Sequence, residues 1–207
     1  MTRLLDQLKK DVRFVEGLKA CINCGICTAV CPAAAFYDYD PRIIADTLQR
    51  GNETEIERLL KSDTIWYCGE CLSCKTRCPR GNTPGYIIQS LRNLAQENGY
   101  YACSERGRQQ LQVKRKAGDN MIRYGYCVYL DEIDTDKDPE QGPVWDWYRK
   151  HAVSILEKLG ANYKGDGAGA LRSISEIDMN ELRRIFEETG ASKRFKILED
   201  QGDESRE

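Results

Sequence analysis

Histidine is almost missing from this chain: His151 is the single one in 207 residues. It lies beside the apolar face of a predicted helix, so it reads as structural or exposed rather than catalytic. An excess of charge of either sign is missing too. Lys and Arg number 31 against 33 Asp and Glu, the formal net charge is -2 and the pI is about 5.7, which leaves no global case for binding nucleic acid or a membrane surface. No apolar leader opens the chain, because Met1 to Lys19 carries charge throughout, so no secretory signal is expected. Mean hydropathy is low, -0.62. The one long uncharged run, Ala20 to Tyr37, contains four cysteines, Asn23 and Pro32, which suits ligand binding better than membrane insertion. These absences predict a soluble cytoplasmic protein of one domain, or of one domain with appendages.

What the chain does have is cysteine. Eight of its ten cysteines fall in two runs of identical spacing, Cys21-x2-Cys24-x2-Cys27-x3-Cys31-Pro32 and Cys68-x2-Cys71-x2-Cys74-x3-Cys78-Pro79. This is the spacing of bacterial-type [4Fe–4S] ligation, in which the fourth thiolate of a run binds the other cluster. Three closely spaced cysteines can wrap one corner of a cubane, but the fourth ligand must arrive from elsewhere. Two such runs supply it reciprocally. The expected ligand sets are Cys21, Cys24, Cys27 and Cys78 for one cluster and Cys68, Cys71, Cys74 and Cys31 for the other, giving two [4Fe–4S] clusters and an electron-transfer role.

Zinc sites also use cysteines two residues apart, but as well-separated pairs, whereas here a four-cysteine unit with its proline is repeated whole. A disulfide framework fits poorly with cysteines this dense in a reducing compartment. A Rieske centre needs two histidines and is excluded. Gly25 and Gly69 would let backbone N–H groups approach the sulfides. Ile22, Ile26, Val30 and Leu72 would keep water out, and Trp66 and Tyr67 would pack over a cluster. Cys103 and Cys127 match nothing in the runs and read as small buried hydrophobes.

Between and around the runs the apolar period is helical. Leu5, Leu8, Val12 and Val15 predict one amphipathic helix over residues 3 to 19. Asp40-Pro41 starts a helix that Gly51 stops, with Ile44 and Leu48 on one face. Asn52 caps another carrying Ile56, Leu59 and Leu60, and Thr83-Pro84 starts a third with Ile87, Leu91 and Leu94. The 36 residues between Cys31 and Cys68 therefore form a helical spacer. The expected fold is all-α: a helical ferredoxin-like domain over residues 1 to 100 with both clusters pinned between helices, and a mostly helical extension over residues 101 to 198. Part of its folding free energy should come from ligation.

In the extension, the basic residues of 102 to 126 and the acidic residues of 131 to 140 read as solvated faces or loops. A docking strip for a partner protein is the sharper alternative. The alternation around Tyr124, Tyr126, Val128 and Leu130 suggests a short strand. Residues 144 to 159 predict a helix, Gly165, Gly167 and Gly169 a flexible linker, and Asp178 with Glu181 a capping-box start for a last helix ended by Gly190. An acidic tail from Glu199 to Glu207 is expected to be disordered.

The segment from Thr64 to Gly81, then Ile87 to Ala95, resembles the C-type iron–sulfur subunit of heterodisulfide reductase, and the first run with its helical spacer fits the same family. The match is close over residues 1 to about 100 and looser beyond. The basic strip and Gly-rich stretch look more like the bacterial branch linked to sulfur oxidation. The resemblance implies a relay protein within a cytoplasmic complex, passing electrons between a flavin-bearing A-type subunit and a B-type subunit whose CCG domains work on disulfides. The eight run cysteines match residue by residue, and no catalytic residue carries over. A higher oligomer of the complex is compatible with this. Two alternatives stand beside it: an iron–sulfur subunit of another flavin dehydrogenase feeding quinones, and a non-redox metal-stabilised binding module.

Overall fold

The computed structural model describes residues 3–137 and 142–204. Among these the chain is helical, without a strand. It divides into two compact units, Met1–Gln110 with Ile197–Glu207, and Leu111–Lys196. The boundary therefore lies about ten residues beyond the one expected at residue 100, and the last segment belongs with the first unit.

In the first unit the helices are α1 (Leu4–Leu8), α2 (Val12–Gly17), the short α3 (Ile26–Ala29), α4 (Pro41–Arg50), α5 (Glu53–Lys61) and α6 (Pro84–Glu97). Helix α6 is the axis, packing against α1, α2, α4 and α5. The core around it includes Leu8, Leu48, Ile56, Leu60, Ile65 and Leu91, all essentially inaccessible. Two predicted starts hold in detail: the Asp40 carboxylate accepts from the Arg42 and Ile43 N–H groups, and the Asn52 side chain accepts from Thr54 and Glu55. Gly51 ends α4 at φ 67°, a left-handed conformation that glycine adopts without strain. At α6 Pro84 takes the first position, but the Thr83 side chain makes no capping bond.

The single helix expected over residues 3 to 19 is two helices. Asp11 interrupts it, its carboxylate accepting from the Arg13 N–H to start α2. The break turns the buried face. Leu4, Leu8, Phe14 and Gly17 point inward, while Val12 and Val15 are 71% and 52% exposed. Gly17 lies against α6, where an added Cβ would come within 3.1 Å of Ile87 N and Thr83 O.

Beyond residue 104 come α7 (Glu105–Tyr124), α8 (Pro143–Lys158), α9 (Glu176–Glu188) and α10 (Ala191–Glu204). The basic strip is thus mostly one long helix. The strand expected from Tyr124 onward is not formed. Tyr124 ends α7, Gly125 turns the chain at φ 79°, and Tyr124 stacks on Tyr129 with centroids 3.9 Å apart. The acidic stretch is described only to Lys137; its remainder lies outside the described residues. A small core of Leu130, Ile133, Ala152 and Leu156 anchors the second unit.

The Gly-rich segment is a closed loop rather than a linker: Asn162 and Lys164 N–H donate to Ala170 and Leu171 carbonyls, and Ser173 N–H donates to Gly165 O. The cap of α9 is Ser175, whose hydroxyl accepts from the Asp178 N–H, so Asp178 is the partner of the cap and not the cap itself. After Gly190, α10 continues as far as Glu204. The tail expected to be disordered from Glu199 is helical over that length, and residues 205–207 lie outside the described residues.

Candidate metal centres

Each cysteine run is held by polar side chains from one helix. On α4, Arg42, Asp46 and Gln49 share a face by their spacing. Gln49 accepts the Cys21 N–H at 2.8 Å and donates to the Cys21 carbonyl at 3.2 Å. Arg42 donates to Asn23 Oδ1, and Asn23 Nδ2 donates to Asp46. On α6, Gln89 donates to Glu70 at 3.0 Å, and the buried Arg92 donates to Glu70, to the Cys68 carbonyl at 2.6 Å and to the Ile65 carbonyl at 2.8 Å.

The backbone repeats the same contortion in both runs. Asn23 and Gly25 have φ 60° and 79°, and at the matching positions Glu70 and Leu72 have φ 53° and 58°. Asparagine and glycine accept this region readily, whereas for a side chain like Leu72 it costs roughly 1–2 kcal/mol. Strain placed identically in two loops marks a functional constraint. Such turns gather N–H groups into concave surfaces that favour anions, iron–sulfur sites among them. Here Glu70 N–H donates to Cys68 Sγ at 3.4 Å and Asn82 N–H to Cys78 Sγ at 3.3 Å.

Two cavities result. Cys21, Cys24, Cys27 and Cys78 line the first, together with Ile22, Ile26, Arg42 and Arg80. Cys31, Cys68, Cys71 and Cys74 line the second, together with Tyr39, Pro41 and Leu72. Every predicted site cysteine thus lies at one cavity or the other, and each cavity takes three cysteines from one run and the fourth from the other. Pro84 lines both, so α6 begins at their common wall, with the positive end of its dipole favouring negative charge there.

Burial pushes the Cys27, Cys68 and Cys74 thiols upward, while hydrogen bonding with Ser73 holds the exposed Cys71 down. Tyr39, which no motif announced, is buried and lines the second cavity beside Cys31 and Cys68; burial, then the nearby Cys68 and Cys31 sulfurs, push its pKa far up.

Four thiols line each cavity, with no histidine or carboxylate among the lining residues, the set expected around a cuboidal iron–sulfur cluster. Among the described residues, no three His, Cys, Asp or Glu side chains converge on a point that a single ion would fill. The apolar screen is less complete than expected: Ile22 is 59% exposed and Val30 lines neither cavity. Trp66 and Tyr67 also line neither. Trp66 packs under the Arg92 guanidinium, and Tyr67 stacks on Tyr37. Cys103 and Cys127, expected to be buried, are exposed. His151 is exposed beside Trp147.

Residues 17–82, which hold all eight run cysteines, match the family described as 4Fe-4S dicluster domain. The C-type subunit of the ferredoxin:CoB-CoM heterodisulfide reductase of Methanosarcina acetivorans is 40% identical over 197 residues, covering 94% of this chain and 72% of the relative. This chain belongs to the C-type subunit family of heterodisulfide reductase. The second C-type iron–sulfur subunit of the CoB–CoM heterodisulfide reductase of Methanocaldococcus jannaschii is similar too, at 30% over 175 residues, 84% of this chain and 75% of that relative. The family likeness therefore extends over nearly the whole chain, beyond the first hundred residues. As a member of this family the chain is an iron–sulfur, electron-transferring component of a multi-subunit oxidoreductase. Among the described residues no helix is long and apolar enough to cross a membrane.

Proposed function

We propose that this chain carries two [4Fe–4S] clusters, one on Cys21, Cys24, Cys27 and Cys78 and the other on Cys68, Cys71, Cys74 and Cys31. We further propose that it relays electrons in the cytoplasm between a flavin-bearing A-type partner and a CCG-domain B-type partner acting on disulfides. The observation that carries the reading is the three-plus-one composition of both cavities, which the doubled run calls for. When bound, each cluster would accept and release one electron at a time.

The rest falls to the chain's own residues. The cysteines bind, α4 and α6 fix the loops that present them, and Glu70 and Asn82 N–H groups neutralise charge on Cys68 and Cys78 sulfur. Leu72 and Ile26 limit water at the two cavities. Exposed Cys24 and Cys71 leave each site an edge towards solvent, where a partner's redox group can approach. Since no residue of the chain is assigned to bond-breaking chemistry, the two-electron step belongs to the partners.

The substrate class is proposed as disulfides and thiols. The two relatives described above are named for the CoB–CoM heterodisulfide. The sulfur-oxidising setting rests on the basic strip, now mostly a helix, and on the Gly-rich stretch, now a closed loop, and it stays the narrower form of this proposal. Anaerobic affinity purification from the native host is the test. Iron and acid-labile sulfide sufficient for two clusters, EPR signals after dithionite, and co-purifying flavin and CCG-domain proteins are expected. Zinc in place of iron and sulfide would overturn the ligation, and a quinone-reducing membrane partner would overturn the circuit.

A further inference from the structure

The two cavities share most of their construction. Each has one backbone donor on a lining sulfur, Asn82 N–H to Cys78 Sγ at 3.3 Å and Glu70 N–H to Cys68 Sγ at 3.4 Å. Pro84 at the start of α6 lines both, and no carboxylate lines either. What differs is fixed charge. Arg42 and Arg80 line the first cavity, whereas no charged residue lines the second.

The two arginines are not alike. Arg42 is paired with the Asp40 carboxylate at 3.0 Å and also donates to Asn23, so its charge is largely balanced on the spot. Arg80 is exposed, and among the described residues no carboxylate pairs with it. Its position is nevertheless defined. It follows Cys78 and Pro79, and its Nε donates to the Ala20 carbonyl at 3.4 Å, next to Cys21. The side chain thus joins the two segments that bring Cys21 and Cys78 to the first cavity.

Cations close to the second run are turned elsewhere. Arg92 pairs with Glu70, the Lys75 ammonium lies over the Tyr86 ring, Arg77 donates to the Ser73 carbonyl, and Arg106 lies over Tyr37 and Tyr67. None of these residues lines the second cavity.

Reduction adds negative charge to a centre already held by thiolates, so nearby charge helps to set its potential. An unbalanced cation favours the more negative, reduced state. We propose that Arg80 raises the reduction potential of the first centre relative to the second and so makes the first centre the resting station for an electron.

This inference rests on the ligation proposed above, and its test separates the two. Full-length wild type, Arg80→Gln and Arg80→Lys are prepared anaerobically, analysed for iron and sulfide, and titrated potentiometrically with EPR detection. The expected result is unchanged iron and sulfide, with one midpoint of Arg80→Gln shifted downward and the other unmoved. Arg80→Lys should keep both midpoints near their wild-type values. The shifted centre should be the one whose signal survives Cys31→Ser. Because Arg80 is exposed, the shift should shrink as ionic strength rises.

Should Arg80→Gln fail to load the first centre, Ala20→Glu serves instead. It leaves Arg80 in place and sets a carboxylate at the exposed residue whose carbonyl Arg80 meets, and it should lower the same midpoint. Loaded protein in which neither midpoint moves, or both move equally, overturns the role of Arg80. So does a shift that Arg80→Lys reproduces or that salt leaves unchanged. Wild type lacking iron and sulfide overturns the ligation beneath it.

Discussion

Arg92 is a buried cation whose three nitrogens reach Ile65 O, Glu70 and Cys68 O, so one side chain of α6 ties down the entry to the second run. Replacing it by leucine leaves two carbonyls without partners, at roughly 1–3 kcal/mol each. The partner carboxylate, Glu70, is 40% exposed and adds little. Arg92→Leu is therefore expected to lower unfolding free energy by about 2–5 kcal/mol in denaturant titrations, with reduced iron at the second centre. Cys31→Ser should damage the cluster of Cys68, Cys71 and Cys74. EPR loss confined to the cluster of Cys21, Cys24 and Cys27 would refute crossed ligation. The eight cysteines are legible in the sequence because their spacing is itself the signal. Arg92 and Gln49 are not, since their partners lie more than twenty residues away and a polar side chain leaves no period in the sequence. Cys103 and Cys127 mislead because an average tendency to burial says nothing about one site.

Among the elements, α4 and α5 are readable from end to end. Asp40, Pro41, Gly51 and Asn52 act through bonds within a few residues, so local chemistry settles them. The first helix reads wrongly as one because Leu5, Leu8, Val12 and Val15 fit one period while Asp11 offers a competing cap, and tertiary burial chooses the face with Phe14. Helix α7 escapes a sequence reading because polar residues fill most of it and leave no clear apolar period: Leu111 is buried while Val113 is 56% exposed. At the α2–α6 crossing Gly17 permits a close approach, and the atoms an added Cβ would meet include the backbone N of Ile87 and O of Thr83, which cannot rotate away. Gly17→Ala should destabilise by about 1–3 kcal/mol, measured as a lower denaturation midpoint. An unchanged midpoint would mean that α2 shifts freely.

For the whole molecule, the core around α6 is thicker than a cysteine-rich chain suggests. Ile56, Leu60, Ile65 and Leu91 are each fully buried, and none lines a cavity. Chelating the iron under mild oxidation should therefore raise hydrogen exchange over residues 20–32 and 67–82 while leaving α5 and α6 protected. Loss of protection throughout α5 and α6 would show that the core itself depends on the metal. A further consequence comes from the end of the chain. Tyr101 donates to the Leu198 carbonyl at 2.6 Å, and residues 197 onward belong with the first unit, although Leu111–Lys196 is synthesised in between. The iron-binding half therefore stays unfinished on the ribosome until Leu198 has left the exit tunnel. Cofactor loading that waits for this closure must follow synthesis of the whole second unit, and a nascent chain stalled short of Leu198 would present its thiols to the assembly machinery without the final strap.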